Sequence, residues 1–425
     1  MFESLLNAFR APDLRRRIVY VAGILVVFRL LAHVPIPGVN IDALRQYVNQ
    51  NPIISLLDVF SGGGLSSFSL VALGVNPYIN ASIIMQLMTG VVPSLTALQR
   101  EGEYGRTKLN QYTRYLSVPM ALLQAWGVLA LLNFNQLLTG TFNLGSFETI
   151  TQIITLTAGS VVLMWLGELI TEKGIGNGIS FIIFAGIVSR APSAAGAFFS
   201  SDISRIVLFA IFAIVAVATI IYVQEGQRRI PVQYASRVRG RRMYQGGQTF
   251  LPLRVNQAGV IPIIFAVSIL LFPGQIATYF TSSDVGIIRD IAIGVTTIFS
   301  QGSPLYVLLY FLLTVGFTYF YTAFTFKPDE TAEQLRKNGG FIPGIRPGRP
   351  TQDYLARVVT RITVAGALFL GVVAALPPAV GLISPQFQNL ALGGTSILIV
   401  VSVVVETMKQ LEAQLLIRQY EGFIR

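Results

Sequence analysis

The chain has 425 residues, of which 53% are hydrophobic and only 12% are charged. Soluble domains usually carry about 25% charged residues, so this composition excludes an ordinary soluble protein and indicates a polytopic membrane protein. The formal net charge is +11, and the sequence contains no cysteine and one histidine, His33, which excludes disulfides, thiolate chemistry and metal sites built from several histidines.

Ten apolar segments follow one another along the chain, each about long enough to cross a bilayer as a helix. They are 18–34, 74–92, 115–133, 151–170, 178–198, 205–223, 258–280, 304–326, 360–383 and 392–410. Glycine and proline inside them are compatible with this assignment because membrane helices tolerate both. We therefore predict ten transmembrane helices, with nine or eleven as the alternative assignments.

Lys and Arg are distributed unevenly between the segments that connect these spans. On the predicted topology 26 of the 31 basic residues lie on one side of the membrane and four on the other, and Arg29 lies inside the first span. Basic loops remain in the cytoplasm. Both termini and the two long basic loops, 224–257 and 327–357, are therefore predicted to be cytoplasmic.

Ten spans divide into two sets of five, and because five is odd a duplicated half must be inverted in the membrane. The predicted halves are 1–223, in which helices one to five end near residue 200, and 224–425, which holds helices seven to ten. The pattern G-V-x-P-x-I-x-A occurs at 74–81 and again at 259–266, in the second and seventh spans. The alternative is that both helices simply need Gly and Pro where they begin.

Charged side chains are missing from the middle of the predicted spans, although such charges are typical of ion-coupled transport. Arg29 lies near the outer end of the first span, where its side chain is expected to snorkel to the interface. Intramembrane proteolysis is disfavoured because His33 is far from Ser180 and the spans hold no pair of aspartates. A phosphate-binding loop of the form G-x-x-x-x-G-K-[ST] is also missing.

Segment 35–73 is too long for a hairpin and too polar to span the membrane. Within it, 56–66 is expected to form a short amphipathic helix that ends in a flexible glycine hinge. A non-spanning segment at membrane depth must be buried in protein or line a wet cavity. An ordinary outer loop is the alternative.

The two basic loops contain more arginine than topology requires, since one or two residues per loop would suffice. The excess favours a docking surface for an anionic partner, either RNA, whose phosphates attract arginine, or an acidic protein. The alternative is that these charges serve topology alone.

Several stretches, in this order and in matching loops and spans, resemble the SecY family, whose members form the central subunit of a protein-conducting channel. They are FSGGGLS at 60–66, ALGVNPYI at 72–79, SIIMQL at 82–87, EGE at 101–103, QYTRY at 111–115, GIGNGIS at 174–180, NQAGVIP at 256–262, GIRPG at 344–348 and GGTS at 393–396. The resemblance covers essentially the whole chain and is closer to the bacterial type than to the archaeal or eukaryotic type.

The resemblance implies the SecY fold, an all-α integral membrane protein with ten transmembrane helices in two inverted five-helix halves around an hourglass pore. Its waist would be a ring of aliphatic side chains at Ile79, Ile83, Ile183, Ile187, Ile264 and Ile399. An apolar constriction resists ions by dewetting, which suits spans without charge. A short plug half-helix at 55–70 would close the pore from outside, with Leu57, Phe60, Gly62, Gly63, Gly64 and Leu65.

The resemblance also implies a lateral gate between spans two and three on one side and spans seven and eight on the other. Gln86 and Gln124 are candidates there for weak interhelical hydrogen bonds. Docking of a motor or a ribosome would involve Arg228, Arg229, Arg237, Arg239, Arg241, Arg242, Arg346 and Arg349.

The implied partners are small membrane subunits of the SecE and SecG type, the ATPase motor SecA, the ribosome through RNA at its tunnel exit, signal sequences, nascent polypeptides and membrane lipid. The resemblance implies no cofactor and no enzymatic activity. The expected function is to translocate unfolded secretory polypeptides across the bacterial cytoplasmic membrane and to release transmembrane segments sideways. An inverted-repeat secondary transporter of a small solute remains the alternative.

Overall fold

The computed structural model describes residues 11–50, 54–55, 57–58, 61–140, 143, 145–199, 203–234, 237–239, 242–244, 247–281, 285–300, 303–383 and 388–424. The helices in these ranges are α1 (Pro12–Leu31), α2 (Ile41–Gln50), α3 (Asn76–Val91), α4 (Pro93–Arg100), α5 (Glu103–Phe134), α6 (Phe147–Lys173), α7 (Gly178–Phe199), α8 (Ile203–Glu225), α9 (Ile261–Phe280), α10 (Gly286–Ile298), α11 (Pro304–Thr325), α12 (Pro328–Lys337), α13 (Arg349–Ile383) and α14 (Gln388–Ile424). The strands are β1 (Gln227–Tyr234), β2 (Arg237–Arg239), β3 (Arg242–Tyr244), β4 (Gln248–Arg254) and β5 (Gly340–Phe341).

Each of the ten predicted spans coincides with one helix. These are α1, α3, α5, α6, α7, α8, α9, α11, α13 and α14. Within the described residues, five helices are by themselves long and apolar enough to cross a membrane, and a bent pair, α3 with α4, adds a sixth. The chain is therefore a multi-pass membrane protein. Four shorter helices, α2, α4, α10 and α12, lie between the spans and were not predicted, since none is as long as a span.

The second span ends in a sharp bend. The axes of α3 and α4 meet at 97°. Val92, between them, has an extended backbone with ψ 114°, because the ring of Pro93 disfavours a helical conformation at the residue before it. Proline at the start of α4 is itself compatible with a helix. The helix of the predicted segment 74–92 thus ends at Val91, and a new helix begins at Pro93.

Small residues allow neighbouring spans to approach closely, as is common in membrane helix pairs. At Gly178, the first residue of α7, an added Cβ would collide with the backbone carbonyl of Gly167 on α6. The same holds at Gly159 of α6, where the obstacle is the carbonyl oxygen of Leu70. The fourth span therefore packs closely against both the fifth span and the segment that precedes α3.

The two predicted basic loops are not independent loops, because they share a three-stranded antiparallel sheet in the order β4-β1-β5. Strand β1 pairs with β4 from Gln227, opposite Arg254, and its far end pairs with β5, where Tyr234 lies opposite Gly340. Apolar side chains from both loops and from α13 pack beneath the sheet; they are Ile230, Leu253, Ala332, Ile342, Leu355 and Val359. The sequence did not predict this sheet, since the pairing joins residues about a hundred positions apart.

Candidate functional site

The six isoleucines predicted to form a ring lie in one apolar cluster. They come from four helices, with Ile79 and Ile83 on α3, Ile183 and Ile187 on α7, Ile264 on α9, and Ile399 on α14. Five of the side chains are at most 5% exposed, and Ile187 is partly buried and packs against the same cluster. The fold therefore brings together residues that are distributed over most of the sequence. That they form a constriction stays a prediction.

The repeated G-V-x-P-x-I-x-A motif has the same local structure in both copies. In each copy, a glycine with a positive φ (60° at Gly74, 64° at Gly259) lies two residues before the helix begins. Proline occupies the second helical position in both, where its fixed φ suits the first turn. The isoleucine two residues later, Ile79 or Ile264, is buried in the common cluster. This correspondence supports the predicted duplication.

The predicted plug segment lies between this cluster and a second apolar cluster. Leu57 packs against both, and Leu65 belongs to the second, together with Phe68. Residues 54–55 and 57–58 are helical, whereas 61–68 and 70–75 are turns and Ser69 forms a bridge with Pro35, so the expected helix over 56–66 is wrong for its second part. Phe60 lies outside the described residues. The alternative of an ordinary outer loop is disfavoured because Leu65 and Phe68 are 4% and 0% exposed.

Side-chain to backbone hydrogen bonds hold the turns of this segment together. The backbone N–H of Ser66 donates to Oδ1 of Asp58 at 2.8 Å. Ser67 Oγ donates to the carbonyl of Gly63 at 2.8 Å, and Ser69 Oγ donates to that of Gly64 at 3.1 Å. Serine and aspartate commonly satisfy backbone groups in this way where no regular helix does. The segment therefore has its own internal bonding, and its far end is also joined to Val34 and Ile36 by backbone hydrogen bonds.

The three glycines of the predicted hinge have different surroundings. Gly62 and Gly63 have positive φ values of 69° and 84°, which favour glycine. A Cβ at Gly62 would lie 2.9 Å from Cζ of Phe28 and 3.0 Å from Cα of Gly186, whereas a Cβ at Gly63 would meet nothing within 4 Å. At Gly64 it would lie 3.0 Å from Oγ of Ser69. Gly62 is thus a packing contact with α1 and α7, in addition to any role as a hinge.

Arg29 has hydrogen-bond partners inside the protein that were not predicted. Its Nη1 donates to the carbonyl oxygen of Gly62 at 2.8 Å and to Oγ of Ser189 at 2.9 Å. The expectation of snorkelling to the interface did not include these two acceptors within the protein. Sequence reasoning could not find them, since one is a backbone carbonyl 33 residues away and the other lies 160 residues away.

The predicted gate residues lie on α3 and α5, and both helices also pack against α9. Gln86 Nε2 donates to Oγ of Ser82, on its own helix, at 3.4 Å. Within the described part of the chain, its Oε1 is buried and has no hydrogen-bond partner. Gln124 is half-buried on α5. A bond between helices at either residue stays a prediction.

Four of the predicted docking arginines have described side chains, and all four are exposed: Arg228, Arg229, Arg346 and Arg349. Arg346 lies in the turn between Gly344 and Gly348, which have positive φ values of 80° and 102°, and its carbonyl accepts a hydrogen bond from Thr351 Oγ1 at 2.8 Å. Arg241 lies outside the described residues, as do the side chains of Arg237, Arg239 and Arg242, whose strands are described.

Two further arginines were not singled out from the sequence. Arg357 and Arg361 of α13 line a cavity of about 390 Å³ together with Arg228 of β1 and Tyr354. They are four residues apart, which places them on one helix face, and this spacing was the feature of the sequence that could have identified them. Together with the exposed arginines of the sheet, they form a basic surface where the two loops meet α13.

Charged residues near the ends of the spans form ion pairs between helices. Arg114 Nε on α5 lies 2.6 Å from Oε1 of Glu168 on α6, and Lys409 Nζ on α14 lies 3.0 Å from Oε1 of Glu225 on α8. In the ranges that the structure describes, no three His, Asp or Glu side chains are grouped so that they could hold a metal ion. These charges therefore connect neighbouring spans.

A sequence model of the SecY family matches residues 69–408 of this chain. The protein translocase subunit SecY of Mycobacterium bovis is 43% identical over 444 residues, and that of Streptomyces galbus is 44% identical over 443 residues. In both cases the match covers 100% of this chain and 100% of the relative.

Solved structures share the fold at low sequence identity. One, described as a protein-conducting channel, has a TM-score of 0.64 at 19% identity, and a canine Sec61 ribosome–channel complex has 0.60 at 18%. A SecY structure with a TM-score of 0.63 at 17% identity is described as one whose plug domain stabilises the closed state and maintains a membrane seal. Each covers 93% of this chain and 91% of the solved chain.

Proposed function

This chain belongs to the SecY family of protein translocase subunits, and we propose that it forms the channel through which unfolded secretory polypeptides cross the cytoplasmic membrane. The observation that carries the proposal is one buried apolar cluster that contains the six isoleucines from four helices among side chains of most other spans, with a buried non-spanning segment packed against it. The names of the relatives do not favour the alternative, a transporter of small solutes.

The six isoleucines within the apolar cluster are proposed to line the narrowest part of the pore. Aliphatic side chains offer no charge or fixed hydrogen-bond donor to a passing chain, so a constriction made of them does not select among substrate sequences. The same side chains exclude ions when they close, because a narrow apolar passage loses its water. The ring would comprise Ile79, Ile83, Ile183, Ile187, Ile264 and Ile399.

Segment 55–70, of which the structure describes residues 55, 57–58 and 61–70, is proposed as the plug. Leu57 packs against the apolar cluster that contains the isoleucines, while Leu65 is buried in the neighbouring cluster, so the segment lies between the two. To leave this position it would have to break the backbone hydrogen bonds that join its far end to Val34 and Ile36. Removal of the plug would leave only the isoleucine ring between the two sides of the membrane.

The lateral gate is proposed to lie where α3 and α5 meet α9 and α11, which are spans two, three, seven and eight. Separation of these helices would expose an apolar segment in the pore to lipid, into which it would partition according to its hydrophobicity. The two halves on either side of the gate, 1–223 and 224–425, are proposed to be inverted repeats. The common geometry of the motifs at 74–81 and 259–266 supports this.

The basic sheet and α13 are proposed as the docking surface for the partners that supply energy, either the motor SecA or a translating ribosome. Exposed arginines suit ribosomal RNA because they bind phosphates. A related fold is found in a canine ribosome–channel complex. We also propose SecE-type and SecG-type subunits as partners and a cytoplasmic location for both termini, which the distribution of Lys and Arg supports. The chain itself would catalyse no reaction.

The proposal is tested by cross-linking, which the natural absence of cysteine makes simple. Single cysteines are introduced as Ile79→Cys and Ile264→Cys, and a secretory precursor with one cysteine is stalled midway through the assembled complex and oxidised. The matched control is Ile276→Cys, which is on the same helix as Ile264 but 41% exposed instead of 5%.

We expect disulfide adducts at Ile79→Cys and Ile264→Cys and none at Ile276→Cys. If the precursor is shown to be engaged and neither ring position forms an adduct at any register, passage of the polypeptide through this cluster is excluded. Equal adducts at all three positions would show that the reaction does not report the path of the polypeptide.

A further inference from the structure

We infer that Arg29 is a positioning residue that holds the plug to α7 and thereby sets how readily the channel opens. The inference rests on the proposed function of segment 55–70 as a plug. It concerns a side chain that the sequence alone assigned to the membrane interface.

The guanidinium group of Arg29 connects three parts of the fold through one nitrogen. From α1, Nη1 donates to the carbonyl oxygen of Gly62 in the plug at 2.8 Å and to Oγ of Ser189 on α7 at 2.9 Å. Ser189 Oγ in turn donates to the carbonyl of Gly186 at 2.7 Å, which orients its lone pairs towards the arginine. The plug is therefore bonded to α1 directly and to α7 through the same donor.

Apolar contacts hold the same glycine next to this bond. The side chain of Phe28, which precedes Arg29 and is 0% exposed, lies against Gly62 on one side, and the backbone of Gly186 lies against it on the other. Two adjacent residues of α1 thus contact Gly62, one through its ring and one through its charge. A bulkier residue at position 62 or 186 would separate the plug from Arg29.

The positive charge of Arg29 faces two neutral acceptors, the carbonyl group of Gly62 and the hydroxyl group of Ser189. Among the described residues, no carboxylate forms an ion pair with it. Hydrogen bonds to a charged donor are stronger than those between neutral groups, so the Gly62 carbonyl is held more firmly than by an ordinary amide. This hydrogen bond can also be replaced. When the plug moves away, water that enters the opened pore can solvate the guanidinium group in place of the Gly62 carbonyl.

The position of Ser189 couples this contact to the isoleucine cluster. Ser189 lies on α7, two residues after Ile187 and six after Ile183. An outward displacement of α7 that widened the ring would carry Ser189 and Gly186 away from Arg29 and Phe28. The plug would then lose its α7 contacts in the same movement that opens the ring, so the two barriers open together.

The test measures release of the plug from its position. In the cysteine-free chain, Leu65→Cys, at a site that is 4% exposed, is labelled by a membrane-impermeant maleimide in the assembled, reconstituted complex. Arg29→Met, which removes the donors and keeps a long apolar stem, should raise the labelling rate about tenfold or more, the change expected for loss of one hydrogen bond to a charged group. Arg29→Lys should give an intermediate rate.

Two matched variants identify the cause. Arg289→Met removes a basic side chain predicted to lie on the same side of the membrane but exposed on α10, and should leave the labelling rate unchanged. Ser189→Ala removes only the contact with α7 and should raise the rate by less than Arg29→Met. This variant also tests the inference if Arg29→Met does not assemble. Unchanged labelling in both Arg29→Met and Ser189→Ala would overturn the inference.

A plug deletion separates this inference from the proposed function. Deletion of 57–68 should relax the requirement for a strong signal sequence. Arg29→Met should relax the same requirement in the full chain, but should have no further effect in the chain that lacks 57–68. A deletion that relaxes stringency while Arg29→Met leaves it unchanged would overturn the inference and leave the plug intact as a proposal. A deletion without effect would overturn both. An equal effect of Arg29→Met with and without the plug would show that the arginine acts elsewhere.

Discussion

Substitution of Gly62 by alanine is expected to weaken the closed state, and Gly63 provides a neighbouring control. Both glycines have positive φ values, 69° and 84°, so an added Cβ is strained by the backbone in either case. They differ in what the Cβ would meet. At Gly62 it would lie 2.9 Å from the ring of the buried Phe28 and 3.0 Å from the backbone of Gly186, whereas at Gly63 there is nothing within 4 Å.

The magnitude follows from these two contributions. A residue with a Cβ in the left-handed conformation costs about 1–2 kcal/mol, and this cost is common to both variants. Overpacking adds about 1–3 kcal/mol, and only Gly62→Ala incurs it because neither the buried ring nor the backbone opposite can easily move. The difference between the variants corresponds to about 5- to 150-fold in the ratio of closed to open channel.

The assay is the resting ion conductance of the reconstituted complex in a planar bilayer, with the amount of assembled complex measured for each variant. We expect a small increase for Gly63→Ala and a clearly larger one for Gly62→Ala. Equal conductance of the two variants would refute the argument, since the backbone cost alone would then account for the effect. An unchanged conductance in Gly62→Ala would show that Gly62 is not packed against α1 and α7 in the resting channel.

Three further expectations concern the ring, the docking surface and the packing of the spans. Ile264→Gly should raise the resting ion conductance because it leaves a gap in the apolar cluster. Ile276→Gly, at an exposed site of the same helix, should leave the conductance unchanged. A larger conductance in Ile276→Gly than in Ile264→Gly would show that the constriction lies elsewhere. Arg346→Glu should abolish SecA-driven translocation without loss of assembled channel, since the side chain is exposed; retained translocation would favour Arg349 or the 224–257 loop instead. Gly178→Ala should destabilise the chain by about 2 kcal/mol or more, because its Cβ would collide with the carbonyl of Gly167 and α6 and α7 must separate; an unchanged midpoint of thermal unfolding in lipid would contradict this packing.

The spans could be predicted because their signals are local, whereas the isoleucine ring was expected only from the resemblance to the SecY family. An apolar stretch of about 20 residues identifies a span without knowledge of its neighbours. The Gly-Val-x-Pro pattern sets where α3 and α9 begin, and so fixes the positions of Ile79 and Ile264 in the first turn of each helix. The structure brings these residues into one cluster, as the resemblance to the SecY family implied.

The sheet and the Arg29 contact could not be predicted because their partners are distant in the sequence. Strand β5 has only two residues, too few to show the alternation that identifies a strand, and it pairs with a strand that begins 113 positions earlier. The acceptor of Arg29 is a backbone carbonyl, and a carbonyl carries no information about residue type. The bend at Val92 had a signal in Pro93, but an apolar run extends across it.

The shared sheet has a mechanical consequence for the two basic loops. Strand β4 is followed after six residues by α9, which carries Ile264, and β5 is followed by the turn of Arg346 and then by α13. Because backbone hydrogen bonds and an apolar core link the strands, neither loop can be displaced without the other. A partner bound at either loop would therefore act on α9 and α13 together, because both helices adjoin the same sheet.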